Sequence, residues 1–343
     1  MAETYGVLSN FIKETWDVDS RKITELNEGS ARCFAIESEN DKYFLKLYQE
    51  KFDRSTLGNE IFTCDFLSKK GFAVSCFLES KNKTYIEIFQ NNLCTLQKYI
   101  VGTTFPKFEV PQSLLFDSVK VLANLNVALS DLPIQLPLGF TQDWFAEWSA
   151  DTAKEKYQHL LKNLNINDEY YNRIAEDFET KCRIIEVFNP SLFDFSSLTV
   201  ENTHGDYNTL QLIFDENKVK AVIDFASCAR LPICWEIIRS YTLSSSECKC
   251  GGMDIDNFVS YVQEYMQIKK LSKSDLELMP YFYLFSLLRS SFGYRSYIEK
   301  RSNGILVNEK DLNALQFAFW RTSMCKWLFD NADYLSLKLT SIV

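Results

Sequence analysis

Two short segments, His204-Gly205-Asp206-Tyr207-Asn208-Thr209-Leu210-Gln211 and Ile223-Asp224-Phe225, constrain this chain more than anything else in it. Between them lie two apolar runs, Leu210–Phe214 and Val219–Phe225, separated by the polar turn Asp215-Glu216-Asn217. Apolar runs on either side of such a turn predict an antiparallel hairpin. A tight hairpin returns its ends to one edge. Gln211 at its start and Asp224 at its end are therefore brought together, with Asp206 in the loop just ahead. One carboxylate can then accept a hydroxyl proton, while an amide oxygen and a second carboxylate share a cation. Magnesium favours such a set, one or two carboxylates completed by phosphate oxygens and water. Taken singly, His-Gly-Asp is a common loop and Asp224 an ordinary helix cap. The triplet, the step to Gln211, the hairpin and Ile-Asp-Phe in register argue against that blander reading.

The chain has 343 residues, 46% of them hydrophobic. Single cores stop growing beyond roughly 250–300 residues, so two lobes are expected. The net charge is −9 and no Lys/Arg cluster stands out, which argues against a nucleic-acid partner. An acidic balance suits a cationic substrate, although many proteins are acidic without one. Residues Met1 to Asn10 show neither a basic nor an apolar leader region. Charges interrupt every apolar run well short of the ~20 residues a membrane span needs. A cytoplasmic protein without a membrane partner is the expectation. The ten cysteines are scattered, many in apolar stretches such as Cys33-Phe34 and Cys76-Phe77, as buried free thiols would be. Cys228, Cys234, Cys248 and Cys250 lack the paired spacing of a structural metal site.

Periodicity predicts a helix over Ala2–Trp16 and another over Ser55–Lys70 that stops at Gly71. Strand signals cover Ile23–Leu26, Cys33–Ile36, Lys42–Tyr48, Val74–Leu78 and Thr84–Phe89. From Asn91 onward the pattern is mainly helical: Ser113–Leu129, Thr141–Leu164, Asp168–Asn189, Pro232–Ser244, Asp254–Lys269, Lys273–Ser290 and Asp311–Asp330. The polar cluster Gln90–Asn92 marks the boundary. The expected fold is α+β, with a small antiparallel-sheet lobe over 1–90 and a larger helical lobe over 91–343 that carries the hairpin.

The order His-x-Asp-x4-Asn followed by Asp-Phe belongs to kinase catalytic loops. Together with Pro232 and Glu236 of Arg230–Arg239, the pattern here resembles the aminoglycoside phosphotransferase and choline kinase superfamily. The chain departs from it at Gln211, where asparagine is usual; the amide oxygen sits one methylene further out. With no arginine between His204 and Asp206 and no Ala-Pro-Glu element, the pattern is closer to small-molecule kinases than to protein kinases. The resemblance implies a two-lobed, protein-kinase-like fold and an O-phosphotransferase using ATP or GTP with Mg2+. It implies Asp206 as base, His204 as support for the loop, and Gln211 and Asp224 as metal ligands.

A phosphate-holding lysine is then needed on a strand, with a helix glutamate to hold it. Lys46, a lone charge within Tyr43–Tyr48, and Glu60 fit, with Lys42 as the alternative. Asn27–Ala31, with Gly29 and Ser30, would cover the phosphates, and Glu87 and Ile88 would border the adenine. On the acceptor side Tyr207 and Asn208 adjoin the base. Asp143 and Glu147, among Trp144 and Trp148, could hold a cation or a sugar. The expected acceptor is a hydroxyl on an amine, aminoglycoside, sugar or amino-alcohol. Gln211 and the single glycine of the phosphate loop motivate a competing reading, a kinase-like nucleotide- or metabolite-binding protein with weak or no catalysis.

Overall fold

A computed structural model of the chain describes residues 2–26, 31–140 and 149–343. Five antiparallel strands, β1 (Lys22–Leu26), β2 (Arg32–Glu37), β3 (Lys42–Leu47), β4 (Glu87–Phe89) and β5 (Asn92–Lys98), form one sheet in the order β1-β2-β3-β5-β4. Side chains alternate across a pleated strand, and the two faces are put to different uses. Phe34, Ile36, Leu45, Leu47, Cys94 and Leu96 pack with Leu8, Ile12 and Trp16 of α1 (Ala2–Trp16). The other face carries Cys33, Lys46 and Thr95, which are cross-strand partners. Helix α2 (Arg54–Lys69) begins at Asp53, whose carboxylate accepts from the Thr56 N–H, as a capping residue should. It packs Leu57 and Ile61 with Tyr48, Ile86 and Ala226.

The sheet differs from expectation in one strand. Val74–Leu78 contributes only isolated bridges, Val74 to Val222 and Phe77 to Gln97. The fifth strand is Asn92–Lys98, beyond the boundary read from Gln90–Asn92. Gln90 and Asn91 both take left-handed backbone angles, φ 48° and 67°, which a two-residue hairpin turn requires. The polar cluster is thus a turn inside the sheet. The chain leaves the sheet after Lys98, and Thr103 exchanges backbone hydrogen bonds of 2.9 and 2.8 Å with Phe214 of the hairpin.

Eight helices of the second lobe lie within the described residues: α3 (Gln112–Ser130), α4 (Ala150–Lys162), α5 (Tyr171–Val187), α6 (Ile233–Ser244), α7 (Ile255–Met266), α8 (Lys273–Arg289), α9 (Tyr294–Ser302) and α10 (Glu309–Thr340). Leu115, Leu122, Ile237, Phe285 and Leu328 are among the buried residues that join these helices in one core. Helix α9 escapes a periodicity reading because only Tyr294, Tyr297 and Ile298 of its nine residues are buried.

Strand β6 (Val200–Thr203) pairs with β9 (Ala229–Pro232), which the sequence did not reveal. Within that pair sits the expected hairpin, β7 (Leu212–Asp215) and β8 (Lys218–Val222). It is shorter than expected. Gln211 closes a 3-10 turn just before β7, and Asp224 follows β8. All ten cysteines are free. Among the described residues no group of three His, Cys, Asp or Glu side chains gathers around a metal position, and no helix is long and apolar enough to cross a membrane.

Candidate active site

The loop between β6 and the hairpin is fixed by hydrogen bonds at each residue. Gly205 has φ +79°, and a Cβ there would lie 2.0 Å from the Ser227 carbonyl oxygen, so only glycine fits. Its N–H donates to Glu236 Oε1 of α6 at 2.8 Å. His204 is fully buried. Its Nε2 donates to the Ile223 carbonyl at 2.9 Å, and its Nδ1 accepts from the Asp206 N–H at 3.3 Å. Burial holds its pKa below the ordinary value despite the bond to Ile223. A neutral imidazole therefore ties the loop to the end of β8, and its ring packs 4.4 Å from Phe225.

Asp206 emerges from this loop with three side-chain partners. Its Oδ1 accepts from Arg239 Nη2 at 2.5 Å and from Asn208 Nδ2 at 3.3 Å, and its Oδ2 accepts from Gln211 Nε2 at 3.1 Å. Burial raises the carboxyl pKa; Arg239, with a smaller pull from Lys107, more than offsets this, so Asp206 stays below the usual carboxylate range.

The Ile223 N–H donates to the Gln211 carbonyl at 2.9 Å, so the Asp224 side chain leaves the backbone beside Gln211. Asp224 has φ 61° and ψ 64°, an uncommon conformation for a residue with a Cβ. Its carboxylate reaches across to the sheet and accepts from Lys46 Nζ at 2.5 Å. The Lys46 ammonium also lies 3.9 Å from Glu60 Oε1 of α2, and Tyr48 OH donates to Glu60 Oε2 at 2.9 Å. Burial opposes the Lys46 charge, but Glu60 and Asp224 win and its pKa lies above the ordinary value. Burial pushes Glu60 up to about 7 against the pull of Lys46. Lys42 is exposed and pairs with Glu37 at 3.2 Å, away from this network.

The donor set suits magnesium. Asp224 is 39% exposed and already faces a cation, the Lys46 ammonium. The Gln211 amide oxygen would be a second hard donor, on a residue whose backbone carbonyl is hydrogen-bonded to the Ile223 N–H beside Asp224.

Of the two residues expected at the acceptor, Tyr207 faces elsewhere and Asn208 stays beside the Asp206 carboxylate. Tyr207 is buried, and its OH donates to the Ser118 carbonyl at 2.7 Å. Asn208 braces the loop: its Nδ2 donates to the Asp206 carbonyl at 2.6 Å and its Oδ1 accepts from the Leu210 N–H at 3.0 Å. The Asn208 Nδ2 also lies 3.3 Å from Asp206 Oδ1, so of the two only the Tyr207 side chain is turned wholly into the scaffold. Glu87 accepts from Ser80 Oγ at 2.6 Å, and Ile88 is exposed on the edge strand β4. Because β4 turns directly into β5, these two do not lie on the connection between the lobes. Gly29, Ser30, Asp143 and Glu147 fall outside the described residues.

Arg239 and Glu236 received no role from sequence alone. They sit three apart on α6, a spacing that places both on one helix face. One anchors Gly205 and the other Asp206. Burial, eased by the Gly205 N–H and Arg239, pushes Glu236 up to about 7. Next to this loop a cavity of about 510 Å³ opens, lined by Gly205, Trp235, Arg239, Phe282, Phe317 and Arg321 among others.

A model of the phosphotransferase enzyme family matches residues 22–247. Solved structures share the fold at low identity. An amicoumacin kinase in complex with AMP-PNP and Ca2+ aligns at TM-score 0.62 and 11% identity over 94% of this chain and 93% of its own. A spectinomycin phosphotransferase with ADP and spectinomycin aligns at 0.63 and 12%, over 94% and 98%. A microcompartment-associated aminopropanol kinase aligns at 0.61 and 12%, over 98% and 99%. No curated protein sequence matches the chain.

Proposed function

We propose that this chain, which belongs to the phosphotransferase enzyme family, is a small-molecule kinase that moves the terminal phosphoryl group of ATP to an alcohol oxygen presented to Asp206. The observation that carries this reading is the convergence of Asp206, Gln211 and Asp224 at one hairpin edge, with Lys46 brought to Asp224 from the other lobe.

Phosphoryl transfer asks mainly for positioning and charge neutralisation. Lys46, held by Glu60, binds phosphate oxygens, and Gln211 and Asp224 hold Mg2+. That ion, when bound, neutralises charge on the phosphates. Asp206 accepts a hydrogen bond from the acceptor hydroxyl and fixes its line of attack. The acceptor O–P bond forms, the bond from phosphorus to the bridging oxygen breaks, ADP leaves, and the hydroxyl proton passes to Asp206. A low carboxyl pKa is compatible with this, because in a loose transition state the attacking oxygen keeps its proton until late. His204 and Glu236 act through the loop, by holding Asp206 and Gly205 in place.

The direct test is transfer from ATP to pooled small-molecule alcohols by the wild type and by Asp206→Asn. The expected result is a drop of about 10²–10⁴-fold in the variant with nucleotide binding retained. Equal rates would sink the assignment of Asp206. A second reading, nucleotide binding with little turnover, draws on the Arg239–Asp206 ion pair at 2.5 Å, which an acceptor hydroxyl must share. ATP binding without product from any alcohol would favour it.

A further inference from the structure

The cavity beside Asp206 carries more positive charge than the described residues balance. Arg239 spends Nη2 on Asp206, while its Nη1 is buried without a hydrogen-bond partner. The Arg321 guanidinium lies 4.4 Å from the Phe317 ring centroid and donates from Nη1 to Ser290 Oγ at 2.8 Å. Lys107 Nζ stands 3.6 Å from the centroid of that same ring. The Arg239 guanidinium rests 5.3 Å from the Trp235 ring centroid. Aromatic faces thus hold three cations, and the one carboxylate of the described residues that pairs with any of them is Asp206.

Ring faces attract a cation without cancelling its charge. Uncompensated charge shows in the titration: burial, then Arg239 and Arg321, push the Lys107 ammonium down to about 8. Burial, then Arg239, pushes Arg321 down to about 10. A net charge of −9 over the whole chain does not remove this local excess, since exposed charges beyond about 8–10 Å are largely screened. Arginine is also the side chain that best matches planar carboxylate and phosphate groups.

We infer that the acceptor carries an anionic group, a carboxylate or a phosphate, on the same small molecule as its hydroxyl, and that Arg321, Lys107 and the unspent nitrogen of Arg239 receive it. The inference rests on the phosphotransferase reading above for the role of Asp206, but the charge preference can be measured without turnover. It also departs from the acidic-surface argument, which favoured amines. The aromatic walls, Trp235, Phe282 and Phe317, would cover the carbon skeleton between the anion and the hydroxyl.

Four matched probes separate the possibilities: gluconate, glucose 6-phosphate, glucose and glucosamine, titrated calorimetrically into the full chain and then offered with ATP and Mg2+. Gluconate or glucose 6-phosphate should bind at least about tenfold more tightly than glucose and glucosamine, and their ratio says which anion is preferred. Arg321→Gln and Lys107→Met should each weaken anion binding by about tenfold or more without moving the affinity for glucose. Arg321→Lys should recover part of the loss. Lys107 is only half-buried, so its variant keeps the test valid if Arg321→Gln folds poorly. Equal binding of all four probes, tighter binding of glucosamine, no binding at all, or anion affinity unmoved in both variants would overturn the assignment. Selective anion binding with no transfer from ATP would leave it standing and count against the phosphotransferase reading instead.

Discussion

Toward the sheet, Lys46 faces two carboxylates, Glu60 and Asp224. Toward α8 and α10, Arg239, Arg321 and Lys107 share the single carboxylate of Asp206 among the described residues. The donor side is therefore short of one positive charge and the acceptor side short of negative charge. On the two proposals above, a cation would enter with the nucleotide and an anion with the acceptor. Low-dielectric surroundings make both imbalances costly.

This contrast can be broken by substitution. The largest loss after that of Asp206 itself is expected for Lys46→Met, which should cut kcat/KM for ATP by about 10²–10³-fold and leave gluconate binding unchanged. A loss under tenfold, read from initial rates, would remove Lys46 from the donor side. Gly205→Ala comes next. Its Cβ would meet the Ser227 carbonyl, the loop must shift, and a shift of about 1 Å at Asp206 costs on the order of 10²-fold in kcat. Crystallography of the variant would show whether the loop moved.

Gln211→Ala sharpens the contrast from the metal side. It should raise the Mg2+ concentration for half-maximal rate by about tenfold, with acceptor affinity preserved. An unchanged Mg2+ requirement would mean that Gln211 serves only as a hydrogen-bond donor to Asp206.

Acidity separates the two sides further. The Lys107 ammonium titrates near 8, so anion affinity should fall severalfold as pH rises through that value. The groups facing it are Arg239, Arg321 and Asp206; Arg321, pushed down only to about 10, and Asp206, held below the usual carboxylate range, keep their charge across that window. Glucose affinity should stay flat, and a flat anion profile would show that Lys107 does not touch the ligand.

The smallest effect on rate is expected for Glu236→Gln, which keeps an acceptor for the Gly205 N–H. Burial pushes the Glu236 carboxyl up to about 7, above the ordinary value of 4.5. The folded state therefore binds the extra proton between those values, and its stability falls as pH rises from about 4.5 to about 7. Removing the charge should stabilise the fold at pH 8 by on the order of 2 kcal/mol. Thermal melts across pH should lose that slope in the variant, and an unchanged slope would place the titration elsewhere.

The two sides also differ in how far the sequence reveals them. Asp206, Gln211 and Asp224 lie within one loop and hairpin, so local spacing is enough to bring them together. Lys46 and Asp224 are 178 residues apart, yet a lone lysine in an apolar strand followed by a helix glutamate is itself a local pattern. Nothing comparable marks Arg321 or Lys107. Arg321 reaches the cavity through the packing of α10, Lys107 reaches the Phe317 ring that lines it from the segment after β5, and ring faces have no fixed spacing in sequence. Strand β5 was missed because its cleft-facing Thr95 and Gln97 are polar though buried, and because a left-handed hairpin turn resembles a linker in composition. Tyr207 departs from expectation for a related reason: adjacency to Asp206 along the chain says nothing about which way its side chain points.

The most direct measurement is a phosphorus NMR time course of the full chain with ATP, Mg2+ and a pool of hydroxylated carboxylates and phosphates. A new phosphomonoester signal should grow in step with ADP, and Asp206→Asn should abolish both. ATP loss that yields only inorganic phosphate, or ester formation at the same rate in the variant, would contradict the account.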